Sequence, residues 1–180
     1  YGFIEDKGLR VKAILLTHGH FDHIFGVAEA SAHFNAPIYM HPADKVIIDE
    51  ANPKLCSAFG LKVPAALAED IIPSEEGDII KVGSMKFEVI ETPGHTPGGV
   101  CYLEREQKIM FSGDTLFAGS IGRTDNQWAD YDALMTGIFG KLMELDGDIA
   151  VVPGHGPSTS IADERMTNPF LMPFNEPFED

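Results

Sequence analysis

Residues 17–23 have the sequence Thr-His-Gly-His-Phe-Asp-His, which places three imidazoles and one carboxylate within six consecutive positions. The stretch follows a short apolar run typical of a buried strand and precedes a helical pattern. Side chains two apart in an extended segment project to the same face, so His18 and His20 can bind one ion together. Asp22 and His23 lie beyond the turn, where they can reach a second ion. Imidazole and carboxylate ligands suit zinc and iron.

Three later loops carry the same types of ligand, each directly after a predicted strand. Residues 92–99 contain His95, residues 153–157 contain His155, and Asp114 follows a third strand. Glycine or proline flanks each of these side chains. Together with the first stretch, these loops place ligand-type residues at four strand ends. The pattern indicates one shared cleft that binds metal.

The other histidines and the two cysteines are interpreted as structural. His33 and His41 lie in or beside ordinary secondary-structure elements, outside the motif loops. Cys56 and Cys101 are too few for a disulfide framework, and the role of small buried apolar residues suits them better. We therefore assign no metal-binding or catalytic role to these four residues.

Composition limits the classes of partner. The chain has 180 residues, 44% hydrophobic and 23% charged, which predicts one globular domain over residues 1–180. Its net charge of −15 argues against nucleic acid or an anionic membrane surface as partner, because both require basic patches. No apolar run approaches the roughly 20 residues that cross a bilayer. We expect a cytoplasmic protein that acts on a small molecule, and a homodimer is compatible with the sequence.

Hydrophobic spacing predicts the secondary structure. Residues 131–142 have the apolar spacing of an amphipathic helix that faces a core, and residues 160–163 match a capping box. Further helices are predicted over residues 23–34 and 42–50, and the proline-containing residues 52–74 are predicted to be irregular. Strands are predicted at residues 11–16, 38–40, 78–82, 85–89, 100–103, 108–111 and 149–152. Strand pairs with interspersed helices predict stacked layers of sheet and helix.

These motifs resemble the metallo-β-lactamase-fold superfamily and, within it, the single-domain glyoxalase II-like (hydroxyacylglutathione hydrolase-like) enzymes. The His-x-His-x-Asp-His signature of that family matches residues 18–23, and its later ligands match His95, Asp114 and His155 in order. The resemblance covers nearly the whole chain and includes residues 92–99, 113–117, 122–125, 153–157 and 168–171. It implies an α+β fold, a four-layer αβ/βα sandwich with the site at one edge. The family domain opens with additional strands, and we expect this chain, which begins at Tyr1, to lack them.

The resemblance also implies two divalent metal ions, with zinc preferred and iron or manganese able to substitute. By family order, the first ion takes His18, His20 and His95, the second takes Asp22, His23 and His155, and Asp114 bridges both. Two-metal sites hold their ions roughly 3.5–4 Å apart. A bridging hydroxide would attack the carbonyl carbon of a thioester such as a hydroxyacylglutathione, with Asp22 and Asp114 taking part in catalysis as metal ligands.

The nature of the leaving group favours thioesters or activated esters over amides and β-lactams. A thiol with a pKa near 8.5 leaves as thiolate, whereas an amine requires a proton donor. No lysine or tyrosine lies beside the motif loops to serve as that donor. Arg123 could meet a substrate carboxylate, and an ion pair with Asp125 or Asp130 is the structural alternative.

Two other functions are compatible with the same residues. Persulfide dioxygenases share these loops and use one iron, held by two histidines and an aspartate, to activate oxygen. A non-catalytic metal-binding domain would keep the ligands without the reaction. The Pro/Phe-rich tail at residues 168–180 is expected to be buried against the body or a neighbouring subunit.

Overall fold

The first half of the chain builds a small parallel sheet flanked by helices. The computed structural model describes residues 1–67 and 71–172. The elements of this half are α1 (Gly2–Asp6), β1 (Ile14–Leu15), α2 (Phe21–Ile24), α3 (Val27–Phe34), β2 (Ile38–Met40), a 3-10 turn (Pro42–Asp44), a π-helical turn (Ile47–Ala51), α4 (Asn52–Ala58) and β3 (Ile72–Pro73). Strands β1, β2 and β3 pair in parallel in that order.

The second half builds a six-stranded mixed sheet and a two-stranded ribbon. Its elements are β4 (Ile79–Val82), β5 (Met85–Glu91), β6 (Val100–Glu104), β7 (Ile109–Gly113), β8 (Leu116–Phe117), β9 (Ser120–Ile121), α5 (Tyr131–Gly137), a π-helical turn (Ile138–Leu142), β10 (Ala150–Pro153), β11 (Thr159–Ser160) and α6 (Ile161–Thr167). The order in the large sheet is β11-β10-β7-β6-β5-β4, and β8 pairs with β9. Strand β10 is parallel to β7, and the other neighbours are antiparallel.

Alternation along the strands separates three apolar cores. In β6, Val100 and Tyr102 enter the core between the two sheets, whereas Leu103 enters the core beneath α5 and α6. In β2, Tyr39 faces the core between the sheets, and Ile38 faces the core beneath α2 and α3. The layers are therefore helices, small sheet, large sheet and helices. This arrangement confirms the expected α+β four-layer sandwich.

The topology brings four loops to one edge of the sandwich. Strands β5, β7 and β10 run in the same direction, so their carboxyl ends lie together. The amide of Val100, at the start of β6, donates to the carbonyl oxygen of Thr17 at 2.9 Å and fixes the end of β1 at the same edge. The loops after β1, β5, β7 and β10 are those that carry the predicted ligands.

Several element predictions are confirmed. The helix predicted over residues 131–142 is α5 with the π-helical turn that continues it. The capping box at residues 160–163 is present, because the Ser160 hydroxyl accepts from the Asp163 amide at 3.1 Å. The main strands of the large sheet lie where alternation predicts them, and β1 is shorter than its apolar run.

Two helix predictions were wrong. The helix expected over residues 23–34 is two helices, because Gly26 has a non-helical ψ of 4° and precedes the first residue of α3. Residues 42–50 form 3-10 and π turns instead of one α-helix. Helix α4 occupies part of the segment predicted to be irregular. Its Pro53 lies in the first turn, where no intrahelical hydrogen bond is lost.

Other expectations concern the cysteines and the tail. Cys56 and Cys101 are buried free thiols, as predicted, and burial raises the pKa of Cys101 to about 11. In the tail, Leu171 is buried but Phe170 is 44% exposed, and Phe174 and Phe178 lie outside the described residues. Among the helices that the structure describes, none combines the length and the apolar character needed to cross a membrane.

Candidate metal centre

The seven predicted ligands come together at the carboxyl edge of the large sheet. Their ligand atoms form three sets, each within 4.8 Å: His18, His20 and His95; His18, His23 and Asp114; and Asp22, His23 and His155. The first and third sets have the same members as the two groups of terminal ligands expected from the sequence. The second set shares His18 with the first and His23 with the third, and it adds Asp114.

The predicted ligands of residues 17–23 lie partly in the loop after β1 and partly in the first turn of α2. His18 is 2% exposed and lies at the bottom of the site. His20 is extended, with φ −63° and ψ 148°, and directly precedes α2. Asp22 and His23 lie in the first turn of that helix. The backbone changes from extended to helical between the two pairs, and the His23 ring still lies 4.0 Å from the His18 ring between centroids.

Asp114 lies at the centre of four imidazoles. Its Oδ1 is 3.5 Å from Nε2 of His23. Its Oδ2 is 3.6 Å from Nε2 of His95, 3.6 Å from Nε2 of His155 and 4.0 Å from Nε2 of His18. These distances exceed ordinary hydrogen-bond lengths, and they leave room between the carboxylate and the rings. The spacing is compatible with a cation between the carboxylate and the rings.

Two buried atoms in this centre test whether the residues fit a metal. Nε2 of His18 and Oδ1 of Asp114 are buried and make no hydrogen bond. An unpaired buried polar group costs about 1–3 kcal/mol, so native proteins rarely retain one without a partner. Both atoms point into the cluster, where a divalent cation would accept their lone pairs. The donor set of imidazoles and carboxylates is also one that zinc, iron and manganese accept.

The electrostatics keep His18, His20 and Asp114 in the forms that bind a metal. Burial opposes protonation of His23, but its contact with Asp114 and the nearby charge of Asp22 raise the pKa of this ring. Burial, together with neighbouring imidazoles, lowers the pKa of His18 well below its usual value, and burial lowers the pKa of His20 to about 4. Both rings are therefore neutral near neutral pH and offer lone pairs. Burial opposes ionisation of Asp114, but its contact with His23 and the charge of His95 lower the pKa of this carboxyl. Metal ligands must be deprotonated in the same way.

Hydrogen bonds behind the ligands fix their orientation. Nδ1 of His95 donates to the backbone oxygen of Arg123 at 2.9 Å, so its Nε2 faces the cluster, 2.9 Å from Nδ1 of His20. Gly154 allows the last loop to approach, because a Cβ there would overlap the Asp114 carboxylate and lie 2.7 Å from Cε1 of His23. A side chain at Gly154, the residue before His155, would therefore displace Asp114 or His23.

Sequence reasoning missed Asp44, a fully buried carboxylate beneath the centre. It accepts from the amides of Gly19 and Gly98, both at 2.6 Å, and from the Thr96 hydroxyl at 2.9 Å. Burial raises the pKa of Asp44, and these hydrogen bonds oppose the shift. The carboxylate joins the loop after β1 to the loop after β5. No pattern in the sequence distinguishes it from an ordinary acid in the first turn of a helix.

The remaining histidines lie outside the cluster. Nε2 of His41 is 2.9 Å from Oε1 of Glu91, and Nε2 of His33 is 2.8 Å from Oε1 of Glu5. Both histidines therefore contact acids away from the three ligand sets. Their interpretation as structural residues agrees with these contacts.

Arg123 lies at the rim of a cleft that opens from the metal centre. Its side chain is 81% exposed and forms an ion pair with Asp125 at 2.9 Å. Asp130, the other expected partner, instead accepts from the Ala133 amide at the start of α5. The ion pair expected as the structural role of Arg123 is therefore present, with Asp125 as the partner. The backbone oxygen of Arg123 also accepts the hydrogen bond from His95.

The cleft has a volume of about 460 Å³, within the usual range for small-molecule sites. Apart from the ligands and the ion pair at its rim, its lining is largely apolar. The apolar lining residues are Phe21, Ala51, Leu55, Phe59, Phe117 and Trp128. The motif search missed these residues, because apolar side chains on short helices and loops have no signal that separates a cleft from a core.

A family model described as the metallo-beta-lactamase superfamily matches residues 2–155. The chain belongs to the metallo-β-lactamase superfamily. The match extends over all seven converging residues and both sheets up to the last ligand loop. Family membership, predicted from the motifs, is therefore confirmed.

Relatives and solved structures of this superfamily support the assignment. Hydroxyacylglutathione hydrolase GloC of Haemophilus influenzae is 40% identical over 168 residues, covering 93% of this chain and 79% of that protein. The crystal structure of BLEG-1 B3 metallo-beta-lactamase matches with a TM-score of 0.86 at 37% identity, covering 94% of this chain and 81% of that one. TTHA1623, solved in a di-iron-bound form, matches with a TM-score of 0.84 at 39% identity, covering 94% and 82%. With the ligand geometry, these similarities indicate a metal-dependent hydrolase.

Proposed function

We propose that this chain is a dinuclear metallohydrolase that cleaves thioesters of the hydroxyacylglutathione type. The observation that carries the proposal is the placement of Asp114, whose carboxylate lies 3.5–4.0 Å from four imidazoles. The proposed ligands of the first ion are His18, His20 and His95, those of the second are Asp22, His23 and His155, and Asp114 bridges both. Zinc is the proposed metal, and iron or manganese suits the same ligands.

When bound, divalent ions supply a water nucleophile near neutral pH and a positive charge that polarises a carbonyl oxygen. The residues of the chain hold the reacting centre in place. His18 and the backbone of the loop after β1 form the floor, and Asp22 and His155 close the exposed side. Asp22 and Asp114 act as ligands and fix the position at which water meets the substrate. In the reaction, water adds to the carbonyl carbon and the C–S bond breaks, giving a carboxylic acid and a thiol.

The chemistry of the cleft favours a thiol as the leaving group. Among the described residues that line the cleft, none is a lysine or a tyrosine, so an amine has no such side chain to protonate it. A thiolate leaves without a proton because its conjugate acid has a pKa near 8.5. The name of the relative GloC, a hydroxyacylglutathione hydrolase, supports the same substrate class.

Metal analysis and substrate turnover on one preparation test this proposal. We expect two divalent ions per chain and hydrolysis of S-lactoylglutathione in a small panel of thioesters. One iron per chain with oxygen uptake on glutathione persulfide would instead identify a persulfide dioxygenase. Full metal occupancy with no turnover of any panel member would identify a non-catalytic metal-binding domain.

Ligand variants test the bridging role. Asp114→Ala should release more metal than any single histidine variant, because it alone belongs to both proposed sites. His18→Ala should empty the first site and His23→Ala should weaken the second, as measured by metal content after gel filtration. Equal metal retention in all three variants would contradict the assignment of Asp114 as the bridge.

A further inference from the structure

The cleft over the metal centre has several large apolar side chains in its lining, which we call the apolar wall. The wall consists of large side chains from α2, α4 and the residue after α4, β8 and the loop before α5: Phe21, Leu55, Phe59, Phe117 and Trp128. The Phe21 and Phe59 rings are 6.4 Å apart between centroids, so the wall extends outward from the residue next to His20. Phe59 is 67% exposed. A cleft that combines an apolar lining with a few convergent polar groups is typical of a small-molecule site.

The charged groups of the cleft lie at the metal centre and at the rim. The acids that line it are Asp22, Asp114 and Asp125, and the first two lie in the metal centre. Arg123, the cation among the described lining residues, is bound to Asp125. At the rim, Nζ of Lys54 lies 4.9 Å from the centroid of the Trp128 ring. None of the five residues that define the apolar wall is charged, so this part of the lining suits an apolar group.

We infer that the apolar wall is a specificity site for an apolar group attached to the scissile thioester. The substrate class is thus a thioester with an alkyl or aromatic substituent, in preference to one that is polar on both sides of the carbonyl. This inference rests on the proposed thioester hydrolysis for its biological meaning, but the binding of the apolar group does not depend on turnover. The cleft volume of about 460 Å³ accommodates a phenyl ring or a short alkyl chain beside the thioester.

Trp128 provides a direct binding signal, because it is the one tryptophan of the chain. The probes are S-hexylglutathione and S-methylglutathione, which are thioethers that the enzyme cannot hydrolyse and which differ only in alkyl length. Each buried methylene contributes about 0.8 kcal/mol, and tenfold in affinity corresponds to about 1.4 kcal/mol. With the metal-loaded protein, we therefore expect the hexyl compound to bind at least tenfold more tightly when the Trp128 emission is titrated.

A matched pair of variants locates the effect. Phe59→Ala should reduce the hexyl-to-methyl affinity ratio to below threefold, whereas Phe3→Ala should leave it unchanged. Phe3 is 70% exposed, close to the 67% of Phe59, and lies on α1 outside the cleft lining. Because Phe59 is mostly exposed, its removal leaves the buried cores intact. A retained ratio in Phe59→Ala, or equal affinities in the unmodified protein, would overturn the inference.

Turnover separates this inference from the proposed function. We expect kcat/KM for S-phenylacetylglutathione to exceed that for S-lactoylglutathione at least tenfold, and Phe59→Ala to remove most of the difference. Turnover of S-lactoylglutathione with equal hexyl and methyl affinities would keep the proposed hydrolysis and reject the apolar site. Tight hexyl binding without turnover of either thioester would keep the apolar site and reject the hydrolysis.

Discussion

Asp44 shows how a side chain without a metal-binding role can hold a metal site together. Its two carboxylate oxygens satisfy two backbone amides and one hydroxyl, contributed by Gly19, Gly98 and Thr96. Gly98 must approach closely, since a Cβ there would lie 2.9 Å from Oδ1 of Asp44. The two loops it joins carry three of the proposed ligands: His18, His20 and His95. Asp44 therefore sets the spacing between ligands that come from different strands.

Replacement of Asp44 by alanine should weaken both the fold and the metal site. The variant leaves two amides and one hydroxyl buried without a partner, at about 1–3 kcal/mol for each group. We expect the free energy of unfolding to fall by about 3 kcal/mol or more, and metal affinity to fall roughly 10–100-fold. Urea denaturation and chelator competition measure the two effects.

The control for this experiment is Asp49→Ala. Asp49 lies in the following turn, and its half-exposed carboxylate pairs with Lys45 on the surface. Such pairs contribute little to stability, so Asp49→Ala should change the free energy of unfolding by less than about 1 kcal/mol. If Asp44→Ala behaved like this control, Asp44 would not hold the loops together.

Among the secondary-structure elements, the tight turn after β10 places the last ligand. Its Gly154 faces the Asp114 carboxylate and the His23 ring with no space for a Cβ. Gly154→Ala should therefore displace Asp114 or the loop and lower metal affinity roughly 10–100-fold, as measured by isothermal titration of metal-free protein.

Gly140→Ala is the matched substitution, because an ideal Cβ at Gly140 meets nothing within 4 Å. It should bind metal as the unmodified protein does. Unchanged metal affinity in Gly154→Ala would mean that the loop adapts without cost and that the close approach is not required.

The sequence reveals the elements whose signals are local. Residues 131–142 have the apolar period of a helix against a core, and the ligands stand out because histidine and aspartate occur where strands end in glycine and proline. Gly26 breaks the predicted helix over residues 23–34, although an isolated glycine is tolerated in many helices. Asp44 lacks a local signal, because its burial depends on partners 25 and 54 residues away.

The apolar wall illustrates the same limit. Phe59 directly follows a short helix, and Trp128 lies in a loop 69 positions later in the sequence. In the sequence, each resembles an ordinary core residue. Only the packing of α4 over the carboxyl edge brings them to one cleft. The spacing of apolar residues predicts the helices and strands that form the layers of this fold. The shape of the cleft depends instead on contacts between segments that are distant in the sequence.

At the scale of the whole molecule, metal binding should increase the free energy of unfolding. Ions bound to the folded state at 100 times their dissociation constant stabilise it by about 2.7 kcal/mol per site. For a chain of this size, each kcal/mol corresponds to about 2–4 °C. We expect EDTA to lower Tm by about 5–10 °C for each site emptied, and added zinc to restore it, in differential scanning calorimetry.

Asp114→Ala supplies the control for chelation. Because this variant should already lack most of its metal, its Tm should respond weakly to EDTA. An equal response in the variant and the unmodified protein would show that the chelator acts elsewhere.

The wide separation of His23 and His155, which lie 132 positions apart and bring their Nε2 atoms within 3.2 Å, has a consequence during synthesis. A ribosome that adds about 5–20 residues per second delivers the second histidine roughly 7–26 s after the first. Throughout that interval the nascent chain displays an incomplete set of imidazoles to every cation in its surroundings. The proposed second site therefore becomes complete only when His155 has been made, after every proposed ligand of the first site has left the ribosome's active centre.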